Sequence, residues 1–262
     1  MTSACGFSTP TSNPGDGDDV VTPVDASIDS PAVEVDAFVP PVALPLFAAS
    51  NQMLYRLDVD LHTSTLFAAI APAGASPIDL DGLALSGDTL LGITAGGGEL
   101  ITIEHETALV TGRVTLTPPN TWGGLTVIPA GDLGANAIVL SGAANDGKLY
   151  RIDPTTGVVG MVGSFGGGMR FFSDLAWVHG VGLFGTLTGG SCAEVCFARI
   201  DPMTGTATVF RSNLGANLYG MSGYRNKLWA FNNAGPVLSV NQTTGVMALE
   251  FDPAIPWTEA AQ

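Results

Sequence analysis

The sequence predicts an all-β fold, a β-propeller of five four-stranded blades, and three observations carry that prediction. The first is a recurring phrase, Leu149-Tyr150-Arg151-Ile152-Asp153-Pro154-Thr155-Thr156-Gly157. It returns as Phe197-Ala198-Arg199-Ile200-Asp201-Pro202-Met203-Thr204-Gly205 and as Val237-Leu238-Ser239-Val240-Asn241-Gln242-Thr243-Thr244-Gly245, with degraded copies at Leu54–Asp58 and Leu100–Glu104. The column Asp58, Glu104, Asp153, Asp201, Asn241 advances by 46, 49, 48 and 40 residues, and a period in the forties built of short apolar runs and Gly-rich turns is a propeller signature. The second is an independent column, Ala48, Gly92, Leu140, Gly185 and Ala230, with steps of 44, 48, 45 and 45. Its small residues mark a place where chains approach closely, expected between neighbouring blades. The third is closure. The last copy of the innermost strand, Thr258-Glu259-Ala260-Ala261, has no second strand after it, while the first repeat starts on a second strand at Leu46-Phe47-Ala48. Joining them completes one blade and removes the exposed sheet edges.

In chain order, residues 1–40 come first. Residues 6–40 carry seven acidic residues, no Lys or Arg, and many Pro, Ser, Thr and Gly. Such a stretch buries too little apolar surface to fold and reads as a disordered acidic tether, with the propeller in 41–262. Within each repeat the innermost strand is expected at Asp81-Gly82-Leu83-Ala84, Gly123-Gly124-Leu125-Thr126, Ser173-Asp174-Leu175-Ala176, Tyr219-Gly220-Met221-Ser222 and Thr258–Ala261. The second strand follows at the small-residue column and the third carries the phrase. Its Asp-Pro-x-Thr-Gly end is turn chemistry: Asp accepts from the following backbone, Pro presets φ, and Gly takes the left-handed position. The other reading of the same Asp is a Ca²⁺ ligand, with Ca²⁺ as the one cofactor left open, although the alternating Asp/Asn run and distal Glu of a Ca²⁺ loop are missing.

Composition bounds the function. Of 262 residues 46% are hydrophobic and 13% charged, which suits blades packed face to face. The net charge of -15 leaves no basic stripe, since the nine Lys and Arg are singly placed from Arg56 onward; nucleic acid is excluded as a partner. No apolar run is long enough for a spanning helix. Cys192 and Cys196 bracket a short loop. One reading is a disulfide that pins the turn, the other a pair of reduced thiols. No metal site is expected: His62, His105 and His179 fall in different repeats, and no second Cys or His pair accompanies the cysteines.

The repeats resemble those of secreted bacterial β-propeller proteins of the quinoprotein-like and WD40-like superfamily, in which a Leu-Tyr-x-Ile-Asp-Pro-x-Thr-Gly strand–turn unit recurs. The resemblance covers roughly 42–262 and implies architecture alone, because that ring hosts enzymes, sugar binders and interaction platforms. Thr2-Ser3-Ala4-Cys5-Gly6 resembles the tail of a bacterial lipobox, with Thr2 where the pattern favours Leu. That resemblance implies lipid at Cys5 and an outer-membrane or cell-surface lipoprotein, with secretion as the other extracytoplasmic reading. A lipid at Cys5 would be the protein's one attachment to a membrane.

Propeller sites sit where loops enter the innermost strands. That ring is expected to hold Asp79, Asp81, Trp122, Arg170, Asp174, Tyr219, Trp257 and Glu259. Aromatics and carboxylates converging from several blades suit a glycan, a peptide or a cation; the aromatics also read as packing plugs. Asp174 and Glu259 are the candidate acid–base pair if the blades bring them together, since a neighbouring carboxylate raises the pKa of the other. The favoured function is a non-catalytic extracytoplasmic binding or protein-interaction propeller without a cofactor. The alternative is a secreted hydrolase or lyase acting on a sugar or lactone through those two carboxylates.

Overall fold

The computed structural model describes residues 45–134, 139–215 and 217–261; the tether and Cys5 lie outside the described residues. The first blade holds β1 (Leu46–Ser50), β2 (Met53–Asp58) and β3 (Thr63–Ala69). The second holds β4 (Leu80–Ser86), β5 (Thr89–Thr94), β6 (Glu99–Glu104) and β7 (Val110–Thr115). The third is β8 (Trp122–Ile128), β9 (Val139–Ala144), β10 (Lys148–Ile152) and β11 (Val159–Ser164). The fourth is β12 (Arg170–Val178), β13 (Gly182–Gly189), β14 (Cys192–Ile200) and β15 (Ala207–Arg211), and the fifth β16 (Leu218–Tyr224), β17 (Lys227–Asn232), β18 (Val237–Val240) and β19 (Met247–Phe251). Last comes β20 (Glu259–Ala261), which pairs antiparallel with β1 through Ala49↔Glu259, Ala48↔Ala260 and Phe47↔Ala261. The result is five four-stranded antiparallel sheets forming a five-bladed β-propeller, with the expected closure of the first blade by β20. No helix among the described residues is long and apolar enough to cross a membrane.

Burial explains the composition. β1 is buried along its whole length and β5, β9 and β13 over most of theirs, whereas the outer strands β7, β15 and β19 are largely exposed or half-buried. Inner strands are covered on both faces and so read as continuous apolar runs. The apolar side chains sort into five cores, one at each blade interface. Leu91 and Trp122 share the core of blades two and three, and Phe184 and Leu228 that of blades four and five. Leu46, Phe231 and Trp257 share the core that joins blade five back to blade one.

The turns behave as turn chemistry requires. The Asp153 carboxylate accepts the N–H of Thr155 at 2.8 Å and of Thr156 at 3.1 Å, and Asp201 and Asn241 repeat the pattern. Gly157, Gly205 and Gly245 all have positive φ. They are also tight: a Cβ on Gly157 would stand 2.1 Å from the Thr115 carbonyl oxygen, on the preceding blade. Val159 N–H donates to the Thr117 carbonyl and Thr117 N–H to that of Gly157, so the turn fastens one blade to the next.

The small-residue column needs one correction. Ala48, Gly92, Gly185 and Ala230 pair with Tyr55, Ile101, Ala198 and Leu238, three residues before each turn acid or amide. In blade three the residue in that place is Gly142, opposite Tyr150, and not Leu140, which pairs with Ile152. All five copies are therefore small. The reason is crowding within the blade, not between blades: a Cβ on Gly142 would meet Trp122 at 2.9 Å and Ile152 at 3.0 Å, and one on Gly185 would meet Ile200 at 3.0 Å and Leu175 at 3.1 Å.

Candidate functional site

The five innermost strands β20, β4, β8, β12 and β16 pack against one another around the axis. At one level of this ring stand Gly82, Gly124, Asp174, Gly220 and Glu259: three residues with no side chain and two carboxylic acids. The glycines are set by backbone contact. A Cβ on Gly124 would lie 2.9 Å from Asp174 Cα and 2.8 Å from Leu175 N, and one on Gly220 3.1 Å from the Glu259 carbonyl carbon. Neighbouring inner strands thus touch main chain to main chain, leaving only Asp174 and Glu259 to place side-chain atoms at this level. Each of β4, β8, β12 and β16 carries a register shift here, between Leu80/Gly82, Trp122/Gly124, Phe171/Leu175 and Leu218/Gly220. Such bulges turn a strand away from its ladder and redirect its amides.

Asp174 collects those amides. Its carboxylate accepts the N–H of Leu175 at 2.7 Å and of Met221 at 2.8 Å. Leu175 and Met221 belong to β12 and β16, so one fully buried carboxylate ties blade four to blade five, and the backbone N–H groups of Ala260 on β20 and Leu125 on β8 add to the field that favours its charged form. Burial pushes its pKa up, opposed by those N–H bonds to the anion. The bulge behind it is held by polar contacts: Ser173 Oγ donates to the Leu218 carbonyl at 2.7 Å and lies 2.8 Å from Thr186 Oγ1, itself buried. Thr186 Oγ1 also accepts the N–H of Ser173 at 3.2 Å. Sequence reasoning singled out neither hydroxyl for this role.

Glu259 differs. It is 6% exposed and its Oε2 is buried without a hydrogen-bond partner. Burial raises its pKa well above the usual carboxylate range, and the charges of Asp174 and then Asp81 raise it further. Both acids are thus held above the usual carboxylate range by burial, and of the two only Asp174 has backbone N–H donors, which favour its charged form. Beyond this level the axis narrows to a cavity of about 10 Å³, lined by Leu83, Leu125, Leu175, Met221, Ser222 and Ala260 among others, no more than one water fills.

The remaining ring residues separate by depth. Asp81 is half-buried, accepts the Gly96 N–H at 2.9 Å, and has its pKa raised by burial and by Asp79. Asp79 is exposed and accepts from Gln52 at 3.0 Å. Arg170 is exposed, and Tyr219, 41% exposed, leans on Phe172 with ring centroids 5.9 Å apart. Trp122 is buried in the core, edge-on to Tyr150 at 5.3 Å. Trp257 is fully buried, its indole N–H donating to the Gly235 carbonyl at 2.8 Å. The structure therefore brings Asp81, Asp174 and Glu259 together on the axis, leaves Asp79, Arg170 and Tyr219 on the surface, and uses both tryptophans between blades.

The Cys192–Cys196 disulfide is formed, with Cα atoms 5.7 Å apart, at the start of β14. A second cluster, unsuspected from the sequence, surrounds Trp177 near the end of β12. Its indole N–H donates to Asp132 Oδ2 at 2.7 Å, and His179 Nδ1 lies 2.9 Å from the same oxygen.

No family model matches the sequence, and no curated protein does. Among solved structures, the chain is similar to a chain of a nidogen/laminin complex, with a TM-score of 0.56 and 14% identity over 83% of this chain and 97% of that one. A streptogramin B lyase matches with a TM-score of 0.44 and 13% identity, over 77% of this chain and 62% of that one. Glutaminyl cyclase of Myxococcus xanthus matches with 0.44 and 16%, over 72% and 90%. At these identities the likeness to the first is one of fold alone.

Proposed function

We propose that this protein is a non-catalytic extracytoplasmic propeller that binds a protein, peptide or glycan through its surface, attached to a membrane through lipid at Cys5 or secreted. One observation carries the non-catalytic reading: the best acid–base pair is sealed in the axis, Asp174 fully buried with a backbone N–H on each oxygen and Glu259 6% exposed. A general acid must reach its substrate within hydrogen-bonding distance, and here both acids are covered by the strands they join. The Cys192–Cys196 bridge supports an oxidising, extracytoplasmic address, and the charge of -15 argues against nucleic acid as partner. The hydrolase or lyase alternative needs the same pair uncovered.

The test is a thermal-shift and product screen of the protein against oligosaccharides, lactones, short peptides and divalent ions, with Glu259→Gln in parallel. A ligand at about 100 times its Kd adds about 2.7 kcal/mol, a shift of several degrees. The expected result is a shift in both proteins and no product. Turnover that disappears in Glu259→Gln would overturn this reading. Mass spectrometry of protein from its native cell tests the lipid at Cys5.

A further inference from the structure

We propose that blade four carries a binding site for a neutral saccharide, built around Trp177, Arg199 and Asp201; the inference rests on the binding reading above and specifies where and what. The site is a cavity of about 470 Å³ lined by Trp177, Gly182, Arg199, Asp201, Thr206 and Thr208 among others. A second hollow of about 240 Å³, bordered by Asp132 and Gly180, adjoins it across Trp177, Val181 and Gly182. The larger volume is that of a small-molecule site.

Its parts are held in place before any ligand arrives. Asp132, whose side chain is 13% exposed, accepts from the Trp177 indole at 2.7 Å and also meets His179. The indole's one polar atom is thereby used, and the half-buried ring, packed against the core of blades three and four, presents its remaining apolar surface as one wall of the cavity. The Arg199 guanidinium donates to the Val181 carbonyl and lies over Gly182, where a Cβ would stand 3.2 Å from its nitrogens. Asp201 Oδ1 takes the N–H groups of Met203 and Thr204, so Oδ2 is the oxygen left for a ligand.

The chemistry selects the ligand class. Around one aromatic wall the cavity sets guanidinium N–H donors, a carboxylate acceptor and two threonine hydroxyls that do either. A sugar ring matches this with a C–H face for the indole and hydroxyls that donate and accept. Arg199 and Asp201 carry opposite charges, so an anion would meet Asp201 and a cation Arg199, which disfavours both against a neutral polyol.

The site also breaks the repeat. Where blade four has Trp177, the inner strands β4, β8 and β16 have Leu85, Val127 and Gly223. Ten residues separate β8 from β9, against two between β4 and β5 and two between β16 and β17, and that longer connection supplies Asp132. A blade needs neither feature to pack, and loops on a rigid scaffold are where binding residues concentrate.

Intrinsic fluorescence reads this site. Trp122, Trp229 and Trp257 are 2%, 3% and 0% exposed, so a ligand-dependent blue shift reports Trp177. The full chain would be titrated with neutral hexose mono-, di- and trisaccharides, and with short peptides as comparison. At least one saccharide is expected to give a saturable shift. Its affinity should fall tenfold or more in Arg199→Met, the loss of one hydrogen bond from a charged group, and comparably in Trp177→Phe by calorimetry. Each variant's melting temperature checks folding, with Thr208→Val as a second, conservative probe. No saturable response to any saccharide overturns the proposal, and a response to peptides in that case leaves the binding reading standing. Saccharide binding unchanged in Arg199→Met and Trp177→Phe but lost in Tyr219→Ala overturns it by moving the ligand to the channel mouth. Product release from a bound sugar overturns the non-catalytic reading instead.

Discussion

Gly124 and Gly160 show how differently one residue type is used. A Cβ on Gly124 would stand 2.6 Å from Phe171 Cζ and within 3 Å of the main chain of β12, whereas one on Gly160 meets nothing within 4 Å. Gly124→Ala is expected to cost about 2–4 kcal/mol, because backbone cannot move aside. Gly160→Ala should be neutral or stabilise by up to about 1 kcal/mol, by restricting the unfolded chain. Urea denaturation of both variants checks this. The two axial acids diverge similarly. Asp174→Asn turns an NH₂ toward backbone N–H donors and should destabilise by about 2–4 kcal/mol. Glu259→Gln replaces a carboxyl that has no partner. Its pKa is raised in the folded state from the ordinary 4.5, so folding binds a proton as pH climbs above that value. The stability this group contributes is complete below 4.5 and is lost as pH rises through the raised value. The glutamine variant should therefore equal the wild type in acid and exceed it in stability at neutral pH. The sequence marked these two acids because both fall in copies of the innermost strand, where the blades could bring carboxylates together. Their burial was not legible, since it depends on how the bulged inner strands pack around the axis and aim amides at Asp174. Trp122 and Trp257 were ambiguous for a related reason: an aromatic beside an inner strand fits the mouth or the interface equally, and the core took both.

At the scale of elements, the strand–turn phrase was legible in full because its residues act locally. The Asp201 cap and left-handed Gly205 need only their own neighbours. Asp201→Ala should cost about 1 kcal/mol, the worth of such a side-chain cap, measured by denaturation. The second-strand column slipped in one copy, Leu140 for Gly142, because the apolar run after the ten-residue connection matches the other copies two residues early. Pairing with β10 settles it. Trp177 went unnoticed for the opposite reason: within a strand it reads as one more apolar residue, and only comparison with Leu85, Val127 and Gly223 exposes it. The Cys192–Cys196 bridge closes a short ring at the β13–β14 turn, so its entropic contribution is at most about 2 kcal/mol. Denaturation with and without reductant should show a modest loss with the transition still cooperative.

At the scale of the whole molecule, closure is the property on which everything else depends. β20 completes the first blade on β1 and lies against β4 and β16. Removing Glu259–Ala261 would uncover the β1 edge and open the inner ring together. The expected outcome is loss of the single cooperative transition and concentration-dependent association by light scattering. Burial in the ring also bears on function, since a fully buried carboxylate that joins two blades is not free to exchange protons with a substrate. The central claim is that the axial acids are structural, Asp174 as the acceptor of backbone N–H groups from two blades and Glu259 as a buried acid without a hydrogen-bond partner. It is tested most directly by melting temperature against pH for the wild type, Glu259→Gln and Asp174→Asn. Glu259→Gln is expected to coincide with the wild type in acid and melt higher at neutral pH, with Asp174→Asn melting below the wild type. Two variants that lose stability equally at neutral pH, or a wild-type profile that Glu259→Gln leaves unchanged, would contradict it.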